Sequence, residues 1–179
     1  LILDLLPETP PSFDNFVAGC NADALTGLAA WLAPENKEPS LLLWGESGCG
    51  KTHLLRASGA CYTDACTNPA LSGIDESTGF HAVDNVEALN GEGQIALFNL
   101  FNRLRANSGR LLTAASQAPL HLALREDLRT RLGSGLIYRL HSLTDQDKHK
   151  ALASLAEARR LRLPPEALDY LPPRAPRDT

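Results

Sequence analysis

The chain predicts an α/β fold on a mostly parallel sheet, and three observations carry that expectation. Short apolar runs alternate with amphipathic helical stretches along its 179 residues. The strongest of these runs, at 41–44, is followed at once by a glycine-rich loop and then a helix, as when a buried strand feeds a crossover. With 44% hydrophobic and 21% charged residues, the composition is that of a globular chain with room for one domain and a fragment of a second.

Residues 1–12 read as an extended tail, because Leu1, Leu3 and Leu5 alternate before Pro7, Pro10 and Pro11 break the pattern. Asn21 is placed to cap a helix reaching Trp31 or Leu32, with Ala22, Leu25, Leu28, Ala29 and Leu32 on one face, and Pro34 stops it. After the strand at 41–44 and the glycine loop, a helix is expected from 52 to about 60. Cys61 and Tyr62 then look like a strand remnant arriving too soon, which predicts residues missing near Gly59 and Ala60. The next strand, 79–84, ends on Asp84. Residues 92–107 form a helix whose wide apolar face joins Ile95, Phe98 and Leu104 to Leu97, Leu100 and Phe101. Strands at 111–114 and 136–140 flank a helical turn at 127–132. Thr144 and Asp147 start a helix toward Arg160 in a near capping box, with Asp in place of Glu, and Leu163 restarts a second helix. The resulting scheme is a tail at 1–12, an α/β base at 13–142 and a helical segment at 143–179, truncated at its end. A chain that lacks Met and stops on a proline-rich run reads as part of a longer product.

The loop itself, Gly45-Glu46-Ser47-Gly48-Cys49-Gly50-Lys51-Thr52, is a complete phosphate-binding pattern between a strand and a helix. Its glycines let backbone N–H groups wrap phosphates, and the helix start adds partial positive charge. Lys51 is the group to reach the terminal phosphates, and the Thr52 hydroxyl is a ligand for Mg²⁺. An ordinary strand-to-helix turn has no use for Lys-Thr at that point, so ATP or ADP is the expected ligand.

Downstream, Asp84 closes an apolar strand and is the natural second group on the metal, although a strand-end Asp also caps turns. The next residue is Asn85, whose amide orients a water without accepting its proton. Glu87 follows two residues later with no direction fixed by the sequence. Fast hydrolysis by this chain alone is therefore not expected. Ser116, after the fourth strand, is either a hydrogen-bond donor to the terminal phosphate or a plain loop serine. Arg131, in the short helix before the last strand, is either a surface cation or the group that reaches a neighbour's γ-phosphate, an effect worth roughly 10³–10⁵ in rate.

Composition excludes several classes. A net charge of −4 without a basic run gives no footprint for wrapping DNA. The four cysteines show no paired metal-ligand spacing, and one of them, Cys49, lies inside the loop, which points to a reducing compartment. No apolar run approaches a membrane span and no signal peptide is visible, so a cytoplasmic protein is expected.

These features together resemble the DnaA-type AAA+ family over nearly the whole chain. The carriers are Ser12-Phe13-Asp14-Asn15-Phe16-Val17-Ala18-Gly19, the loop, Val83-Asp84-Asn85-Val86-Glu87, Phe98 through Leu104, and Arg129-Thr130-Arg131-Leu132-Gly133-Ser134-Gly135-Leu136, in the family's order. The resemblance implies a P-loop AAA+ fold with a five-stranded sheet and a helical lid beginning near 143. It also implies an adenine pocket entered at Phe16 and Val17, a first sensor at Ser116 where relatives often carry Asp, and a second sensor at Arg177. Within the family the similarity leans to regulators that inactivate the initiator, on three grounds: the Asp-Asn-Val-Glu strand end, the twelve-residue tail before Phe13, and a Leu1-Ile2-Leu3-Asp4-Leu5 segment similar to a clamp-binding motif.

That branch implies bound ADP, a DnaA partner whose ATP meets Arg131 in trans, and a sliding clamp (the β subunit of DNA polymerase III) gripped through Leu1, Leu3 and Leu5. It also allows a homo-oligomer, and implies association with the nucleoid through the clamp. Burying three leucines stabilises by ~1.5–3 kcal/mol each, much of it offset by ordering a free tail.

Overall fold

The apolar run before the glycine loop forms the central strand β1 (Ser40–Trp44), whose side chains alternate between two cores. Leu42 faces one core, and Leu41 and Leu43 face the other. In the computed structural model, which describes residues 10–75 and 77–148, four further strands join it: β2 (Cys61–Asp64), β3 (Phe80–Asp84), β4 (Arg110–Ala115) and β5 (Leu136–Arg139). The spatial order is β2-β3-β4-β1-β5 and every pairing is parallel. Parallel neighbours require crossovers, so helices cover both faces. Helices α1 (Ala22–Leu32) and α2 (Lys51–Ala57) pack on Leu41 and Leu43, while α3 (Gly91–Ala106) and α4 (Glu126–Gly133) pack on the side of Leu42. This is the five-stranded parallel sheet expected for the fold. Leu1, Leu3, Leu5, Arg177, the helix expected from Leu163 and almost all of the lid fall outside the described residues.

Several elements differ from expectation for identifiable reasons. The buried residues of α1 are Ala24, Leu28 and Trp31, while Ala22 and Ala29 are exposed. The indole of Trp31 turns the helix, because its ring goes to the core and its N–H donates to the Glu38 carbonyl at 2.9 Å. Asn21 stands at the N-cap, yet its side chain makes no cap bond. Instead its amide donates to the His141 carbonyl (2.9 Å) and accepts from the His141 N–H (2.7 Å). At the other end of α1, the Arg110 guanidinium donates to the carbonyls of Trp31, Leu32, Ala33 and Asn36 at 2.8–3.0 Å, satisfying the orphan acceptors of the last turn.

Helix α2, with seven residues about 10 Å long, joins β2, with four residues about 13 Å long, through Ser58, Gly59 and Ala60. Helix α3 starts on Asn90, whose side chain accepts from the Gly93 N–H at 2.9 Å, and it buries Leu97, Leu100, Phe101 and Leu104. Ile95, expected on that face, is 47% exposed. Residues 145–148 are helical, and the Thr144 hydroxyl accepts from the Asp147 N–H (3.2 Å) and donates to its carboxylate (2.7 Å). Among the described residues no helix is long and apolar enough to cross a membrane.

Candidate nucleotide site

Where β1 ends, the chain squeezes past the exit of β5. A Cβ on Gly45 would lie 2.2 Å from the Leu140 carbonyl oxygen, so only glycine passes. At the far end of the loop Gly50 has φ +98°, and a Cβ there would lie 2.5 Å from the Phe16 ring. Between these points Lys51, the first residue of α2, folds back under the loop and is 8% exposed. Its ammonium donates to the carbonyls of Gly45 (2.7 Å) and Glu46 (2.9 Å) and lies 3.7 Å from the Cys49 sulfur. The glycine loop thus curls around a positive charge. A cavity of about 330 Å³ opens here, lined by Ser47, Gly48, Gly50, Lys51 and Thr52 and by Asn85, Glu87 and Ser116 from the ends of β3 and β4.

Beneath the cavity Asp84 is fully buried and accepts three hydrogen bonds. The Thr52 hydroxyl donates at 2.5 Å, the Tyr62 hydroxyl at 3.1 Å and the Asn85 N–H at 2.9 Å. Burial, and then the charge of Asp84, push the Tyr62 phenol up to about 12, so it stays protonated and keeps donating. The Arg56 guanidinium lies 4.7 Å from the centre of the Tyr62 ring. Asn85 is in the left-handed region (φ 53°), a conformation its short polar side chain tolerates. Its amide donates to Asp64 at 2.9 Å. Asp64 also takes the Cys66 N–H at 2.9 Å; burial and then the Asp64 carboxylate raise the Cys66 thiol. Sequence reasoning did not single out Tyr62 or Asp64. The available signal was their i, i+2 spacing on one strand face, in a strand whose register sets Asp64 beside Asp84.

The segment expected to flank the adenine lies across α2. The Phe16 ring is 5.4 Å from that of His53, and the His53 Nε2 is 2.8 Å from the Ser12 carbonyl oxygen. Val17 is 38% exposed. Ser116 is exposed, and its backbone N–H donates to Glu87 at 3.0 Å. Arg131 stands apart from the cavity. It is in the last turn of α4, stacked near Phe98 (5.9 Å) and Phe101 (6.0 Å), and it lines a groove with Asn36, Lys37, Gly109 and Arg110. Asn36 and Lys37 precede β1, Gly109 precedes β4 and Arg110 opens it, so Arg131 lies toward the sheet end opposite the loop.

The residues present fit a nucleoside polyphosphate with a hard divalent cation. Lys51 and the loop supply positive charge, and the Thr52 hydroxyl and Asp84 carboxylate supply adjacent oxygens of the kind Mg²⁺ takes alongside water and phosphate.

A parallel five-stranded sheet with a phosphate loop after β1 and an acid closing β3 defines a P-loop domain of the AAA+ class. Residues 8–78 match the family described as the bacterial DnaA ATPase domain. A Haemophilus influenzae protein, itself described as uncharacterized, is 35% identical over 160 residues, covering 79% of this chain and 69% of its own length. The fold is shared with domain III of the Thermotoga maritima replication initiation protein DnaA (TM-score 0.75, 22% identity, 92% of this chain and 81% of that one). It is shared also with AMPPCP-bound DnaA from Aquifex aeolicus (TM-score 0.74, 24% identity, 94% and 61%). The chain spans 60% of a further structure, a DNA replication initiation factor. Over residues 8–78 the chain is thus similar to the bacterial DnaA ATPase domain, and its described fold is that of a P-loop AAA+ domain.

Proposed function

We propose that this chain is a nucleotide-stabilised regulator of replication initiation similar to Hda, the DnaA-related regulatory inactivator. In this reading it holds ADP with Mg²⁺, docks on the DNA-loaded sliding clamp through Leu1, Leu3 and Leu5, and offers Arg131 in trans to ATP bound on DnaA. It acts in the cytoplasm, at the nucleoid. The observation that carries the reading is the separation of two cations. Lys51 lies in the chain's own loop, while Arg131 lines a separate groove toward the opposite end of the sheet and is not among the residues of the loop cavity. The amide at Asn85 supports it, since an amide in that place cannot accept a proton from water.

The test is DnaA-ATP hydrolysis on a loaded clamp. Arg131→Ala keeps nucleotide and clamp binding and loses the stimulation; a normal rate in that mutant would overturn the finger. Removing Leu1 to Leu5 leaves nucleotide binding and abolishes clamp pull-down, and an undiminished pull-down refutes the clamp contact. A second reading, the nucleotide domain of an initiator or a helicase loader, is favoured by the replication initiation proteins that share the fold. Sequence-specific origin binding by the purified protein would select it.

A further inference from the structure

We propose that Glu87 is the general base with which this chain converts its own bound nucleoside triphosphate to the diphosphate; the inference rests on reading the loop cavity as the nucleotide site. The residue after Asp84, where an acid would be sought, is an amide engaged with Asp64. Because Asn85 takes a left-handed conformation and leads into a 3-10 turn over Val86–Ala88, the chain reverses within three residues. Val86 is buried in the core and Glu87 is delivered to the cavity wall. There its Oε1 accepts the Ser116 N–H at 3.0 Å, which ties the end of β3 to the end of β4 across the mouth of the site. Among the described residues the second oxygen has no hydrogen-bond partner, which leaves it for a water.

Among the described residues that line the cavity, Glu87 is the sole carboxylate. Asp84 lies below with three donors already directed at it, an arrangement suited to holding Thr52 and a cation. The water oxygen attacks the γ-phosphorus, its proton passes to Glu87, and the bond from that phosphorus to the β-phosphate oxygen breaks. Nucleoside diphosphate and inorganic phosphate result, and Glu87 returns the proton to solvent. The diphosphate form is then the product of the chain's own single turnover.

The experiment loads the full chain with Mg-ATP and follows bound nucleotide by quench and chromatography, beside direct measurement of ATP and ADP affinity. Glu87→Gln keeps an oxygen for the Ser116 N–H and removes the proton acceptor. Its conversion rate falls roughly 10²–10⁴-fold while both affinities stay within about twofold. Glu87→Asp, with a carboxylate on a shorter arm, recovers part of the rate. Conversion at the wild-type rate in Glu87→Gln overturns the assignment, as does wild-type protein that binds ATP and leaves it intact. Wild-type protein that binds neither nucleotide overturns the reading beneath it instead.

Discussion

At the C-terminal ends of the strands Lys51 is buried and answers to two carbonyls of its own loop, whereas Arg131, toward the other end, is half-buried on the faces of two aromatic rings. Among the described residues the Arg131 guanidinium makes neither a hydrogen bond nor an ion pair. Both cations follow from short motifs next to a strand, yet the fold encloses one and presents the other. An enclosed ammonium serves the molecule that carries it. A guanidinium held by stacking alone keeps all five of its donors for a partner.

The sharpest way to break this contrast is Arg131→Lys, which preserves charge and some stacking but loses the planar fork. If Arg131 acts in trans as proposed, most of a roughly 10³–10⁵-fold stimulation of DnaA-ATP hydrolysis should disappear, read as phosphate release on the loaded clamp. Retained stimulation would mean that charge alone suffices there. Next in size, Lys51→Ala removes the enclosed charge. Charge-assisted bonds of about 1.5–3 kcal/mol make the expected loss of ATP or ADP affinity roughly 10- to 150-fold by calorimetry, with clamp pull-down unchanged. An unaltered affinity would strip the loop of its role.

Asn21→Ala probes the scaffold near the loop rather than either cation. Losing both bonds to His141 costs about 1–3 kcal/mol, and each kcal/mol lowers the melting temperature by about 2–4 °C. A melting curve superimposable on wild type would show that water replaces the amide at no cost. Smallest is the alkaline titration of Tyr62. Since its folded pKa is raised from 10.0 to about 12, the stability it contributes is complete below pH 10 and is lost as pH rises toward 12. The difference in tyrosinate absorbance between the wild type and Tyr62→Phe, which isolates this phenol, should stay small near pH 11 and grow toward pH 12; a difference already complete at pH 11 would argue against the Asp84 bond.

The order of elements and the loop were legible because each rests on local pattern: an apolar run, glycines at fixed spacing, a 3.6-residue period. The finer errors arose where a distant partner decided the outcome. Asn21 looked like a cap until His141, 120 residues later, claimed both ends of its amide. Ile95 has the right period for the core of α3, but the packed face turns to Leu97, Leu100 and Phe101. The acid node at Asp84 includes Tyr62 and Asp64 only because β2 and β3 pair in a particular register, which no local pattern announces. Glu87 was visible as a residue, and its direction came from the left-handed backbone at Asn85.

The two polar clamps on α1 also bear on how the chain acquires its structure. Asn21 meets a residue 120 positions away, and Arg110 meets the end of the same helix from 74–79 positions away. Neither contact exists until β4 and β5 have docked, and closing such long loops is entropically costly before other contacts reward it. The two clamps on helix α1 are therefore expected to close late in the folding reaction. Loosening Asn21 should hasten unfolding while leaving the refolding rate nearly untouched.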